Sequence, residues 1–124
     1  MFELTINNQV YNFRFGFGFV KEINKTITAD IEGAHGAKRE MGLQYHVASL
    51  FDGNIESLAL ILDTANKGQD PRLTRETLEA YIEDESTDID GLFEKVLDFL
   101  RRANCTRKIA QRVTEEVEKA KERN

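Results

Sequence analysis

The chain has 124 residues, 40% hydrophobic and 31% charged, with 17 Lys plus Arg against 22 Asp plus Glu and a formal net charge of -5. That is the composition of a single soluble globular domain, long enough to bury a core without disulfide or metal staples. The longest apolar run, Leu58 to Leu62, is far too short for a membrane span, Cys105 has no partner for an internal disulfide, and the acidic balance opposes general affinity for phosphate backbones, so neither membrane nor nucleic acid is expected as a partner.

The N-terminus lacks the basic-then-apolar order of a secretory signal. Phe2, Leu4 and Ile6 alternate, which predicts a half-buried strand over 2–6. Asn7 and Asn8 suit a tight turn, and Tyr11, Phe13 and Phe15 alternate through a second strand over 10–15. The two form a β-hairpin whose register depends on a loop of two or three residues. Gly16 and Gly18 break the alternation, and Phe19, Val20 and Ile23 then recur at helical spacing, predicting a helix over 17–26. Six of the eleven aromatic residues lie in the first 19 positions, too many to stay exposed together, so the hairpin is expected to lie against the helices that follow.

Residues 24–38 mix polar, small and β-branched side chains with Gly33 and Gly36, and read as a loop. Leu43, Val47, Leu50 and Phe51 predict a helix over 39–52, stopped by Gly53. Asn54 caps the next helix, whose inward face is Leu58, Ile61, Leu62 and Ala65. A turn cluster over 66–71 holds the only proline, Pro71. Thr74 caps a helix bearing Leu78, Tyr81 and Ile82, and Thr87 with Asp90 signals another start. The helix over 88–103 carries a broad stripe of Ile89, Leu92, Phe93, Val96, Leu97 and Leu100. Thr106 caps a last helix, running to about 122, with a narrow seam of Ile109, Val113, Val117 and Ala120. The expected fold is α+β and helix-dominant, an N-terminal β-hairpin packed on about five helices. It forms one domain over 1–124: hairpin 1–16, helical core 17–104 and charged C-terminal helix 105–124.

Catalytic and ligand motifs fail on inspection. Gly16-Phe17-Gly18 lacks the third glycine and distant acid of a dinucleotide loop and the Gly-Lys-Ser/Thr of a Walker loop, so it reads as a hairpin-to-helix corner. Setting Gly91 at the glycine of a calcium loop places Ser86, Asp88 and Asp90 at the first ligand positions, but Leu97 then occupies the position that demands a bidentate Glu. His35, His46 and Cys105 have no zinc-site spacing, and nothing in the sequence sets a base beside Cys105. No catalytic residue, cofactor or metal is expected, and the chain does not read as an enzyme.

Charge is segregated. Residues 70–94 hold nine acids and two bases, net -7, whereas 95–112 hold six bases and one acid, net +5. One reading is helix-dipole complementarity. The other is head-to-tail contact between copies, with Asp84 and Asp88 on the acidic side and Arg101 and Arg102 on the basic side, which builds rings or spirals. The last helix is equally two-sided. Ile109, Val113 and Val117 dock either on the chain's own domain or on a partner, and only on the partner reading does Val113→Asp leave the fold intact.

The order of motifs is similar to a known family. Phe13-Arg14-Phe15-Gly16-Phe17-Gly18-Phe19 runs into Lys21-Glu22-Ile23-Asn24-Lys25. Gly42-Leu43-Gln44-Tyr45, Leu62-Asp63-Thr64-Ala65-Asn66-Lys67, Leu78-Glu79-Ala80-Tyr81-Ile82-Glu83-Asp84 and Thr87-Asp88-Ile89-Asp90-Gly91-Leu92-Phe93 follow. From about residue 2 to 115, apart from 27–40, this resembles the tail assembly chaperones of long-tailed phages and prophages of Gram-positive bacteria. The resemblance implies a non-enzymatic protein that acts in the host cytoplasm and is absent from the finished virion. It implies binding to the tape measure protein, keeping it soluble while tail tube protein polymerises around it, and self-association into a homo-oligomer of ring or spiral order. Many members also have a longer form made by ribosomal frameshifting, and this chain resembles the short form. The competing expectations are a structural tail or connector subunit and, from another class, a metal-dependent hydrolase built on the acidic run.

Overall fold

Alternation at the N-terminus gives Phe2–Ile6 (β1) and Gln9–Phe13 (β2), paired antiparallel with Phe2 opposite Phe13 and Ile6 opposite Gln9. The loop is the two-residue form. Asn7 and Asn8 both have positive φ, at 52° and 65°, the conformation a tight right-twisted hairpin requires. The structure is a computed structural model and describes residues 2–123. Six helices follow among those residues: Phe17–Asn24 (α1), Gly42–Phe51 (α2), Ile55–Asn66 (α3), Arg75–Glu83 (α4), Ile89–Arg102 (α5) and Arg107–Glu122 (α6). The fold is α+β and helix-dominant, as expected from the sequence.

Residues 24–38 are not simply a loop: Thr28–Asp30 (β3) and Lys38–Glu40 (β4) pair as a second antiparallel ribbon. Its strands read Thr-Ala-Asp and Lys-Arg-Glu and stay mostly exposed, so they carry no apolar alternation to betray them. Backbone pairing and a Lys38–Asp30 contact of 2.6 Å hold the ribbon together.

The first hairpin covers the helices through an aromatic cluster. Phe2 meets Phe13, Phe15 and Phe99 edge-on at centroid distances of 5.4, 5.6 and 5.4 Å, and Phe15 meets Phe19 at 4.9 Å. Edge-to-face packing of this kind adds to plain area burial. Lys95 on α5 donates to the Glu3 carbonyl and lies over the Phe2 ring, tying α5 to β1. The hairpin edge is bonded to α3, where the Arg14 amide donates to the Ala65 carbonyl at 2.8 Å. Leu58, Ile61, Leu62 and Ala65 form the buried face of α3, as the periodicity predicts, and α2, α5 and α6 close the core around Val47, Val96, Leu100 and Ala110.

Caps confirm some boundaries and move others. Asn54 and Thr74 accept from the Ser57 and Thr77 amides as expected. The cap of α5 is Asp88, which accepts from the Gly91 amide, not Thr87, whose hydroxyl donates to the Tyr81 carbonyl. Thr106 does not cap α6 with its side chain. Its wholly buried hydroxyl donates to the Leu100 carbonyl, satisfying the last turn of α5 instead.

Candidate functional site

Two buried polar joints fix the helices that carry the exposed surfaces. At the first, α1 ends against the start of α2. The Asn24 side chain accepts from the Leu43 amide at 3.0 Å, capping a helix whose own cap residue, Met41, supplies no side-chain bond. Thr26 donates its hydroxyl proton to the Ile23 carbonyl at 2.6 Å, so its oxygen accepts from His46 Nε2 at 3.0 Å. His46 Nδ1 is then left to accept from the Ser57 hydroxyl at 2.8 Å. The ring is neutral, with the proton on Nε2.

Burial holds the His46 pKa below the ordinary 6.5. Because the native value is lowered, this joint contributes fully above the unfolded pKa and weakens as pH falls below it, by at most about 1.4 kcal/mol per pH unit. The urea midpoint is expected to drop between about pH 7 and about pH 5, and the drop to shrink in His46→Gln. An equal drop in both proteins would place the acid sensitivity elsewhere.

At the second joint Asn66 is fully buried on the last turn of α3. Its Nδ2 donates to the Asn12 carbonyl at 2.9 Å, and its Oδ1 accepts from the Leu73 amide at 2.6 Å and from Arg72 at 2.8 Å. Arg72 also pairs with the buried Asp63 at 2.9 Å. Hairpin, α3 and the turn before α4 therefore meet on one amide.

The residues read from sequence as partner contacts do not converge. Val113 is only 2% exposed and sits inside the core, while Ile109 and Val117 are half-buried against it. The seam of α6 thus lies on α2 and α5 of its own domain, and only Ala120 at its far end is exposed. Asp84 and Asp88 sit beside the start of α5, Arg101 and Arg102 in its last turn, separated by a helix roughly 20 Å long. Three of the four have a local task. Asp84 accepts from the Ser86 hydroxyl and amide, which together hold its pKa below the usual carboxylate value, and Asp88 caps α5. Arg102 pairs with Asp98 at 3.0 Å and lies over the Phe99 ring. Among the described residues, no group of three or more His, Cys, Asp or Glu is placed to hold a metal, and no helix is long and apolar enough to cross a membrane.

Sequence reasoning missed the surface that the packing leaves open. At the N-terminal ends of α3 and α5, a groove of about 530 Å³ is lined by Leu50, Phe51, Ile55, Ile89 and Phe93, with Asp90 and Glu94 beside it. It continues past Ile55 into a smaller hollow of about 180 Å³ bounded by Ala59, Ile82, Glu56, Glu79 and Glu83. At the opposite end of both helices, Phe17 stands 77% exposed beside a hollow of about 560 Å³ bounded by Arg14, Thr64, Lys67 and Cys105. Reading Gly16-Phe17-Gly18 as a corner located the bend correctly, since Gly16 is the cap residue of α1, but did not show that Phe17 points away from the core.

Nothing among the curated proteins or the solved structures matches the chain. A family model described as phage tail assembly chaperone protein, TAC, matches residues 3–115. The matched span takes in all of the hairpin but Phe2, both polar joints, the acid-rimmed groove and the first half of α6. The chain belongs to the phage tail assembly chaperone family.

Proposed function

We propose that the chain binds the tape measure protein in the cytoplasm of the infected bacterium, keeps it soluble, and promotes assembly of tail tube protein around it, acting in several copies. The match over residues 3–115 carries this reading. A long helical client with unpaired apolar faces aggregates unless those faces are covered. Large apolar side chains held partly exposed on a rigid scaffold suit that task, as Val10, Tyr45 and Ile55 are here. Many weak contacts along one client then act together, avidity standing in for single-site affinity.

Co-expression with the tape measure protein of the same phage is expected to move that protein into the soluble fraction and to co-purify the two. Purified virions are expected to lack the chain by mass spectrometry. A client equally insoluble with and without the chain overturns the chaperone reading, and stoichiometric recovery from virions makes the chain a structural subunit.

A further inference from the structure

A third hollow extends the groove along α3. It has a volume of about 530 Å³ and lies over Tyr45, Leu60 and the buried His46–Ser57 pair. It shares Glu56, Ala59 and Glu79 with the hollow beside Ile82, which in turn shares Ile55 with the groove at Phe93. The three make one trough across the first two turns of α3, walled by α2, α4 and α5. Tyr45 and Ile55 stand 44% and 43% exposed in it. Its charged lining is five acids, Glu56, Glu79, Glu83, Asp90 and Glu94, and one base, Arg75. Arg75 pairs with Asp63 at 3.7 Å, and none of the five acids has an ion pair among the described residues.

Helix chemistry accounts for only part of that rim. Glu56 and Asp90 lie in the first turns of α3 and α5, where the dipole favours an acid. Glu79 and Glu83 do the opposite. They stand four apart on α4, so they repel, and Glu83 is in a last turn that holds no base. Both placements cost α4 stability, and no partner within the chain offsets that cost.

We infer that this trough is the client site, and that it selects a tape measure segment in which apolar residues are flanked by lysine or arginine. The inference rests on the client reading above and names the surface and the segment chemistry that reading leaves open. The apolar floor covers the segment's apolar side chains, and the rim supplies unpaired carboxylates to its cations. Acids placed against the preference of their own helix gain their counter-charge only when such a segment is seated. An excess of four acids over bases on the rim makes the contact weaken with added salt.

The test uses the full chain, co-expressed with the tape measure protein of the same phage and then titrated with overlapping synthetic peptides of that protein by fluorescence anisotropy. The parent is expected to bind best those peptides that combine apolar residues with lysine or arginine. Glu83→Lys is expected to melt at or slightly above the parent, because the new lysine suits the end of α4 and faces Glu79 one turn back. It is nevertheless expected to weaken binding of those peptides by roughly tenfold or more. Ile55→Ser, at a position already 43% exposed, is expected to melt within a few degrees of the parent and to weaken binding by a similar factor. Glu118→Lys makes the same change in net charge on the exposed far end of α6 and is expected to bind like the parent. The inference is overturned if Glu83→Lys or Ile55→Ser is folded and binds like the parent, if Glu118→Lys loses as much, or if the tightest peptides lack basic residues. A parent that holds the tape measure protein while the trough variants hold it equally sinks the trough alone. A parent that binds neither the protein nor any of its peptides takes the chaperone reading with it.

Discussion

Gly42→Ala is expected to destabilise the domain by roughly 3 kcal/mol, lowering the melting temperature by on the order of 10 °C. A methyl on Gly42 would overlap the Ile23 carbonyl oxygen, stand 2.7 Å from its carbon and lie 2.8 Å from Thr26 Oγ1. The obstructing atoms are mostly backbone, held by the Thr26 amide and hydroxyl on the Ile23 carbonyl and by the fully buried Ile23 side chain. Relief requires α1 and α2 to move apart, stretching the Asn24–Leu43 and Thr26–His46 bonds together. Alanine gains at most about 1 kcal/mol of helix propensity over glycine, so overlap wins. Gly18→Ala is the control: nothing lies within 4 Å of its added methyl, and the same propensity gain is expected to leave it neutral or slightly stabilised. Urea unfolding of both variants checks the pair. A parent-like Gly42→Ala would mean that α1 and α2 are not in this close contact in solution.

Gly42 and Asn66 also show what the sequence made legible and what it hid. The motifs that suggested the family include Asn24, Gly42, Asp63 and Asn66, and all four are joints between elements. Their order could be read without a structure, but not their partners, because Asn66 reaches Asn12 across 54 residues of chain. Periodicity recovered β1, the inward face of α3 and the stripe of α5, where burial follows a single repeat. It missed β3 and β4, which bury almost nothing and so impose no pattern. The groove escaped for a different reason. Ile55, Ile82 and Phe93 look like core residues in one dimension, and only the packing of α3, α4 and α5 leaves them at an opening.

Val113→Asp is expected to cost on the order of 4 kcal/mol, a large share of a small domain's stability. From sequence, the α6 seam could face either a partner or its own domain, and this substitution separates the two. Val113 is 2% exposed, next to the fully buried Ala110, on a helix lying against α2 and α5. A carboxylate there fills nearly the same space as the valine but loses its water and finds an apolar core, whereas Val113→Ala registers the loss of two methyls alone at about 2 kcal/mol. The excess of Asp over Ala is therefore the least that burying the charge costs. Burial raises the pKa of the introduced carboxyl, so the folded state takes up a proton first as pH falls. The difference in urea midpoint between Val113→Asp and Val113→Ala is then expected to narrow between about pH 7 and about pH 4, a comparison from which the His46 contribution cancels. Ala120→Asp, on the exposed end of the same helix, is expected to stay within about 0.5 kcal/mol of the parent. If Val113→Asp instead unfolds like Ala120→Asp and loses partners, α6 does not hold its docked position in solution and the seam is an interface after all.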